Sequence, residues 1–224
     1  EVKNLPLSIN GTSILQDVSL TVAPGEVVAV TGESGSGKSM TALAIMQLLP
    51  DGSETTGAVD FDGEDVTRST EARMCALRGD NIGMVFQEPM SALNPVQTIG
   101  AQVAEALRLD PKTSAAAAQN RAGAILGRVG LAPEHVPPSR YPHELSGGQR
   151  QRVVIALAIA RQPKLLIADE PTTALDVTVQ AQIFDLLRDL RREFGTSIIM
   201  ITHDMGAVAE MAERMIVMYA GRKA

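Results

Sequence analysis

Residues 32–39, Gly-Glu-Ser-Gly-Ser-Gly-Lys-Ser, match the phosphate-binding loop pattern G-x-x-x-x-G-K-[ST] at every fixed position. The apolar, β-branched run 27–31 precedes them and predicts a buried strand. Residues 40–49 follow and predict a helix that Pro50 stops. A strand, a glycine-rich turn and a helix in this order distinguish a phosphate-binding loop from a flexible Gly/Ser turn, so the sequence predicts a site for phosphate groups.

The chemistry of this loop follows from its residue types. Glycines let the backbone curl and turn its N–H groups inward, and the helix N-terminus adds partial positive charge. We expect Lys38 to reach the β- and γ-phosphates and the Ser39 hydroxyl to hold Mg²⁺. The candidate nucleotide-binding residues of this segment are Gly32, Glu33, Ser34, Gly35, Ser36, Gly37, Lys38, Ser39 and Met40.

The composition is that of a globular protein with 224 residues, 45% of them hydrophobic and 21% charged. A net charge of −6 and an aromatic content of 3% argue against nucleic acid as a partner. The single cysteine, Cys75, excludes an internal disulfide and fits a reducing compartment. The sequence contains no run of eighteen apolar residues, so it predicts no membrane-spanning helix. Its first residue is Glu1 and not Met, which predicts a fragment or a trimmed piece of a longer protein.

Strand and helix patterns alternate along the chain, which predicts a parallel sheet covered by helices on both faces. Residues 17–31 predict a strand pair joined by a turn at 23–26. Helical patterns concentrate between residues 88 and 160, as if inserted between strands of the sheet. Further strands are predicted at 57–62, 82–86, 165–168, 198–201 and 215–218, and further helices at 99–109, 115–129 and 177–194.

The apolar strand 165–168 ends in two acids, Asp169 and Glu170. A carboxylate at the carboxyl end of such a strand lies beside the phosphate loop in parallel sheets. Asp169 can then take part in the Mg²⁺ shell, and Glu170 can polarise an attacking water. An Asp-Glu pair alone is usually a solvated strand end, but its combination with the phosphate loop favours a catalytic site.

Residues 145–149, Leu-Ser-Gly-Gly-Gln, begin a predicted helix that continues to Arg161. Ser146 is a good N-cap, and the glycines leave backbone N–H groups open to an anion. The segment therefore predicts a second phosphate-binding element and not only a capped helix start.

The chain resembles the ATP-binding subunit of an ABC transporter. The motifs that carry the resemblance appear in the order of that family and cover nearly the whole chain. They are the phosphate loop at 32–39, Gln87 after a strand, the segment 145–149, the acid-ended strand 165–170, Ala174-Leu175-Asp176, and His203.

The resemblance implies a role for each matching residue. Gln87 contacts Mg²⁺ and the attacking water, and His203 bonds the γ-phosphate and positions that water. Asp176 bridges two subunits near the phosphate loops. The segment Ser146, Gly147, Gly148 and Gln149 binds ATP held on a second subunit. The implied catalytic residues are Glu170, His203, Gln87 and Lys38, and the implied metal-binding residues are Ser39, Gln87 and Asp169.

The resemblance also implies an architecture and an assembly. The expected fold is an α/β P-loop NTPase with a mainly parallel sheet, an N-terminal antiparallel β subdomain and an inserted helical subdomain. Residues 1–224 form one ABC domain, with the core and β subdomain at about 1–87 and 161–224 and the helical subdomain at about 88–160. The cofactors are ATP and Mg²⁺. The partners are a second ATPase domain, identical or different, membrane permease subunits and an extracytoplasmic solute-binding protein, and the location is the cytoplasmic face of the inner membrane.

Residues 87–95, 141–148 and 168–180 are similar to the dipeptide/oligopeptide importer group, which also includes nickel and glutathione importers. Two features depart from that resemblance. Ile9 lies where the family usually has an aromatic residue that stacks on adenine, so we expect an apolar contact from Ile9 and weaker base selectivity. Members of this group continue beyond the last strand into a C-terminal region, and this sequence ends at residue 224 before such a region. We therefore expect either one half of a two-domain ATPase or a trimmed single subunit.

Two other functions remain open from the sequence. One is a soluble, non-transport ABC ATPase, such as a DNA-repair or ribosome-associated factor, although these normally have long coiled-coil insertions or basic linkers. The other is the ATPase-like subunit of a soluble complex for phosphonate breakdown. The leading expectation is the motor subunit of an importer of peptides or similar small solutes.

Overall fold

Two β-sheets organise the chain. The structure, a computed structural model, describes residues 1–173 and 175–224. Over these residues the strands are β1 (Val2–Ile9), β2 (Thr12–Leu20), β3 (Val27–Gly32), β4 (Ser53–Thr55), β5 (Ala58–Phe61), β6 (Glu64–Asp65), β7 (Ile82–Val85), β8 (Leu165–Asp169), β9 (Ser197–Ile201), β10 (Arg214–Tyr219) and β11 (Arg222–Lys223).

The larger sheet carries the phosphate loop. Its strands lie in the order β11-β10-β3-β9-β8-β7, and all neighbours are parallel except β10 and β11. The register pairs Val30 of β3 with Ile201 of β9, and Asp169 of β8 also pairs with Ile201. Because parallel strands end at the same edge of a sheet, this register brings the residues after β3, β8 and β9 together.

The smaller sheet is antiparallel. It has the order β2-β1-β5-β6, and β4 pairs with β1 outside that path. The predicted pairing of two strands within residues 17–31 is therefore wrong, because β2 and β3 belong to different sheets. The burial pattern explains this: β2 alternates between buried and exposed positions, whereas β3 is buried on both faces and needs a neighbour strand on each side.

Helices cover the larger sheet and fill the stretch between β7 and β8. Asp176 and Gly195 delimit the longest one at the predicted bounds 177–194. The helices are α1 (Lys38–Ile45), α2 (Glu71–Asp80), α3 (Pro89–Ala92), α4 (Ile99–Arg108), α5 (Ala115–Arg128), α6 (Gly147–Ile159), α7 (Val177–Phe194) and α8 (Met205–Met211), with a 3-10 turn at Pro142–Glu144.

The core consists of two apolar clusters that lie on opposite faces of the larger sheet. Val28 and Val30 of β3 point into the cluster shared with α1 and the smaller sheet. Val27 and Ala29 point into the cluster shared with α4, α5, α6 and α7. The strand that leads into the phosphate loop is thus fixed from both sides. None of the helices in the described ranges is long and apolar enough to cross a lipid bilayer.

Candidate active site

The phosphate loop runs from the end of β3 to the start of α1, and at two of its positions a side chain larger than that of glycine would clash with neighbouring atoms. A Cβ atom at Gly32 would lie 2.1 Å from the carbonyl oxygen of Met218. One at Gly37 would lie 2.4 Å from Cδ2 of Leu15, and both glycines have a positive φ, of 146° and 101°. The loop is therefore pressed against β10 and the smaller sheet, and Gly37 precedes α1 directly.

Lys38 folds back over this loop. Its Nζ donates hydrogen bonds to the carbonyl oxygens of Gly32 at 2.9 Å and Glu33 at 2.8 Å. The residue is only 7% exposed, so the ammonium group is held at the mouth of the loop and not in bulk solvent. A cation fixed by backbone carbonyls beside a helix N-terminus is a favourable arrangement for binding phosphate oxygens.

Asp169 ends β8 next to the loop and is 5% exposed. Burial of its carboxyl and the nearby charge of Glu170 raise its pKa, and Ser39 and Lys38 act in the opposite direction. Its Oδ1 is buried without a hydrogen-bond partner among the described residues. An orphaned carboxylate oxygen beside a serine hydroxyl fits a divalent cation, and Mg²⁺ is usually held by one or two such groups together with phosphates.

The Glu170 carboxylate contacts three polar side chains that come from different segments of the chain. Its Oε1 lies 3.1 Å from Nδ1 of His203, which follows β9. Its Oε2 accepts a hydrogen bond from the Thr173 hydroxyl at 2.7 Å and lies 3.4 Å from Nε2 of Gln87, which follows β7. The structure therefore brings together the predicted residues Gln87, Glu170 and His203 at the carboxyl ends of three neighbouring strands.

The pKa of Glu170 is lower than its ordinary value. Burial of the carboxyl raises this pKa, but the hydrogen bond from Thr173, the contact with His203 and the charge of Lys38 together lower it. The side chain is 15% exposed, so it is shielded but still open to the cleft. An ionised carboxylate in this position can accept a proton from a water molecule.

A cleft of about 770 Å³ is lined by the phosphate loop together with Ile14, Met40, Gln87, Glu170 and His203, whereas Asp169 and Thr173 are not among its described lining residues. Ile9, which the sequence suggested as an apolar contact for a base, is not among the described residues that line this cleft, although Ile9 and Ile14 both pack against the apolar cluster beneath the smaller sheet. Ile14 is the residue of the β1–β2 hairpin that reaches the cleft. Among the described residues that line the cleft, none is Phe, Tyr or Trp.

The predicted residues Ser146, Gly147, Gly148 and Gln149 lie elsewhere and do not line this cleft. Ser146 caps α6, since its hydroxyl accepts from the Gln149 N–H at 3.3 Å and the Gln149 side chain accepts from the Ser146 N–H at 3.0 Å. Ser146 and Gly147 are exposed. The start of α6 thus presents open backbone N–H groups to the outside of the chain.

Asp176 also lies outside the cleft, at the exposed start of α7, where its Oδ1 accepts from the Val179 N–H at 2.9 Å. Ala174 of the predicted Ala174-Leu175-Asp176 motif lies outside the described residues. Ile14 and Thr173 are site residues that sequence reasoning missed. A threonine four residues beyond an acid-ended strand is a local signal that could have indicated Thr173, whereas the role of Ile14 depends on which face of the hairpin meets the loop.

A protein-family model described as ABC transporter matches residues 15–173. The chain belongs to the ABC transporter family. This match spans the phosphate loop, Gln87, the start of α6 and the acid-ended strand, so the chain is an ATP-binding cassette domain with the α/β P-loop fold that the sequence predicted.

Several relatives have names that refer to peptide transport. The chain is 52% identical over 209 residues to the oligopeptide transport ATP-binding protein OppD of Mycobacterium bovis, covering 93% of this chain and 34% of that protein. It is 49% identical over 228 residues to OppD of Bacillus subtilis, covering 99% of this chain and 64% of that protein. The chain therefore spans about a third of the first relative and just under two thirds of the second.

Solved structures agree with the fold. The ATP-binding cassette MJ0796, as a dimer in a post-hydrolysis state bound to ADP and Pi, matches with a TM-score of 0.87 at 31% identity. That match covers 99% of this chain and 95% of the other. CbiO1 of Clostridium perfringens, part of the ABC transporter complex cbiONQ, matches with a TM-score of 0.83 at 30% identity, covering 100% of this chain and 88% of the other.

Proposed function

We propose that this chain binds ATP with Mg²⁺ and hydrolyses it as the motor domain of an ABC importer for peptides or related small solutes. One observation carries the enzymatic part of the proposal. Lys38, the pair Asp169-Glu170, Gln87 and His203 come from four segments and meet at the edge of the sheet where β3, β7, β8 and β9 end. The names of the similar proteins carry the transport part.

Phosphate binding is the first step. The ammonium group of Lys38 exchanges its carbonyl partners for the β- and γ-phosphate oxygens, and the loop N–H groups of residues 32–39 enclose them. In this proposal Asp169, Ser39 and Gln87 hold Mg²⁺, which neutralises charge on the phosphates when bound. The buried Oδ1 of Asp169, which has no hydrogen-bond partner within residues 1–173 and 175–224, supports that assignment.

Hydrolysis needs a positioned water more than covalent chemistry. The Glu170 carboxylate takes a proton from that water while the water oxygen bonds to the γ-phosphorus. The bond between the γ-phosphorus and the ADP oxygen breaks, which gives ADP and phosphate. Glu170 is suited to this role because its carboxylate lies in the cleft with a lowered pKa. His203, which contacts Glu170 at one oxygen, orients the base and contacts the γ-phosphate.

A second ATPase domain, identical or different, completes each site in this proposal. The exposed start of α6, with Ser146, Gly147, Gly148 and Gln149, contacts the γ-phosphate held on the other domain. Asp176, exposed at the start of α7, bridges the two domains. ATP then joins the domains, and its hydrolysis releases them. The similarity to a dimeric cassette bound to ADP and Pi supports this arrangement.

Transport requires partners beyond the ATPase pair. We propose permease subunits in the membrane, an extracytoplasmic solute-binding protein, and a location on the cytoplasmic face of the inner membrane. We also propose that residues 1–224 form one ABC domain, with core and β subdomain at about 1–87 and 161–224 and a helical subdomain at about 88–160. The packing of α4, α5 and α6 against one another between β7 and β8 supports that division.

Two measurements test the proposal. The purified protein should release phosphate from ATP with Mg²⁺ and stop doing so in the presence of a chelator. The tagged full-length protein, extracted from its native cells in mild detergent, should bring two multi-span membrane proteins that mass spectrometry identifies. Recovery of soluble enzymes, ribosomes or DNA-repair factors instead would keep the ATPase assignment and overturn the transport claim.

A further inference from the structure

The shortest recorded contact of the Glu170 carboxylate is with a residue outside the predicted catalytic set. The Thr173 hydroxyl donates to Oε2 of Glu170 at 2.7 Å, compared with 3.4 Å from Gln87 to the same oxygen and 3.1 Å from His203 to Oε1. We propose that Thr173 is a positioning residue that holds the Glu170 carboxylate in the orientation needed for water activation. This inference rests on the proposed ATPase function.

Glu170 needs such a restraint. Its backbone lies in the left-handed region with a φ of 47°, which is unfavourable for a residue with a side chain. A free glutamate side chain also populates several rotamers, and fixing one of them costs conformational entropy. The hydrogen bond from Thr173 selects one orientation of the carboxylate and leaves the Oε1 side to His203.

Thr173 is itself held in place by the turn after β8. Its backbone N–H donates to the carbonyl oxygen of Glu170 at 3.2 Å, so the hydroxyl and the carboxylate belong to one closed turn. The Gln180 side chain in α7 donates to the carbonyl oxygens of Thr172 and Leu175, both at 3.3 Å. These bonds tie both sides of the turn to α7, so Thr173 is a fixed donor and not a loop side chain that meets Glu170 by chance.

The consequence for catalysis is specific. Thr173 does not line the cleft, so its loss should leave nucleotide binding intact. Loss of the hydroxyl should misplace the carboxylate, and small misplacements of a reacting group lower rates by about 10- to 100-fold. We therefore expect a fall in kcat of about tenfold or more with KM for ATP nearly unchanged.

The test compares four variants of the full-length protein. Thr173→Val keeps the shape and removes the hydroxyl, and Thr173→Ala removes the same group in case the valine variant folds poorly. Thr173→Ser restores a hydroxyl and should recover most of kcat. Thr56→Val is the matched control, because Thr56 is an exposed threonine just after β4, outside the cleft lining, for which the structure records no side-chain hydrogen bond. Kinetics give kcat and KM, and light scattering with ATP gives domain pairing, which should stay unchanged.

Three results would overturn the inference. Thr173→Val could turn over like the wild type, Thr173→Ser could fail to recover kcat, or KM could rise as much as kcat falls, which would indicate a general structural role. These outcomes differ from failure of the proposed function, in which the wild type itself would not hydrolyse ATP. That result would overturn both claims.

Discussion

Nδ1 of His203 lies 3.1 Å from Oε1 of Glu170, although the two residues are 33 positions apart in the chain. The contact follows from the sheet. Glu170 follows β8, His203 comes two residues after β9, and the Glu170 N–H donates to the Ile201 carbonyl at 2.9 Å. Adjacent parallel strands thus place a carboxylate and an imidazole side by side at the edge that faces the phosphate loop.

Replacing Glu170 with glutamine should separate binding from turnover. The glutamine in Glu170→Gln keeps an oxygen that can accept the hydrogen bond from the Thr173 hydroxyl, but its amide cannot take a proton from water. We therefore expect ATP affinity to remain and kcat to fall by about 10²- to 10⁴-fold. Phosphate release at saturating ATP measures the loss. Glu54→Gln, an exposed acid in the smaller sheet, is the control and should not change the rate. Undiminished hydrolysis by Glu170→Gln would refute the role of this carboxylate.

Removal of the Lys38 ammonium should affect binding itself. The group makes two backbone hydrogen bonds at the loop, and Lys38 is a buried cation that lines the cleft. A hydrogen bond to a charged group is worth about 1.5–3 kcal/mol, so Lys38→Ala should weaken ATP binding by roughly 10- to 100-fold. Titration with a fluorescent ATP analogue measures this, and Lys164→Ala, an exposed lysine, should bind normally. An unchanged affinity in Lys38→Ala would contradict the assignment of the loop.

Base selectivity of the isolated domain should be weak. The apolar side chains that the cleft offers to a base are those of Ile14 and Met40, and no Phe, Tyr or Trp is among its described lining residues. Stacking on an aromatic ring contributes about 1–3 kcal/mol per base, and the described lining of this cleft offers no ring for it. We expect ATP and GTP to compete within about tenfold of each other, a difference of ~1.4 kcal/mol. Tight binding with strong preference for ATP would show that another group recognises adenine.

Some elements could be predicted closely from the sequence because their signals are local. Helix α7 has the predicted bounds because its apolar stripe is bracketed by Asp176 as N-cap and Gly195 with a φ of 65° as its end. The ends of β8 and β9 were predicted for a similar reason, since polar residues follow fully buried runs. Helices α2 and α8 were missed, because the first buries only Met74 and Leu77 and the second has seven residues.

Other features depend on contacts between distant segments. The sequence indicated strands at both ends of residues 17–31, but their assignment to different sheets follows from pairing with β1, β9 and β10. The choice of Ile14 over Ile9 at the cleft depends on the register of β1 and β2, which contains irregularities that no local pattern reveals. The spacing of Thr173 from the acid-ended strand is a local signal, but its contact with Glu170 depends on a turn whose carbonyl oxygens accept from Gln180 of α7, which no local pattern specifies.

Two glycine-to-alanine changes should shift stability in opposite directions. A Cβ atom at Gly83 in β7 would lie 2.3 Å from the carbonyl oxygen of Ala158 in α6, so Gly83→Ala should destabilise the fold by about 1–3 kcal/mol. Gly123 lies inside α5 with no atom within 4 Å of such a Cβ, so Gly123→Ala should stabilise by about 0.5–1 kcal/mol. Urea unfolding at pH 7 measures both. A neutral Gly83→Ala would show that α6 does not approach β7 this closely.

The ion pair between Glu26 and Arg214 should make stability depend on pH. Arg214 donates from Nε to Oε1 at 2.9 Å and from Nη2 to Oε2 at 3.2 Å, and it thereby ties the start of β10 to the turn before β3. Hydrogen bonding from Arg214 is the main cause that lowers the pKa of Glu26, although partial burial raises it and the Ala23 N–H lowers it further. The side chain of Glu26 is 15% exposed and that of Arg214 is 39% exposed, so solvent screens the pair from the arginine side and reduces its contribution to stability.

A carboxyl with a lowered pKa in the folded state stabilises the protein above its unfolded pKa and loses that contribution as the pH falls through the folded value. Glu26→Gln should therefore cost about 1–2 kcal/mol at pH 7, and the difference from the wild type should shrink as the pH falls below about 4.5. Urea unfolding at pH 7, 5 and 3 measures the trend, with Glu54→Gln as a control that should show little difference at any of these values. A difference that stayed constant from pH 7 to pH 3 would indicate that Glu26 contributes through packing and not through its charge.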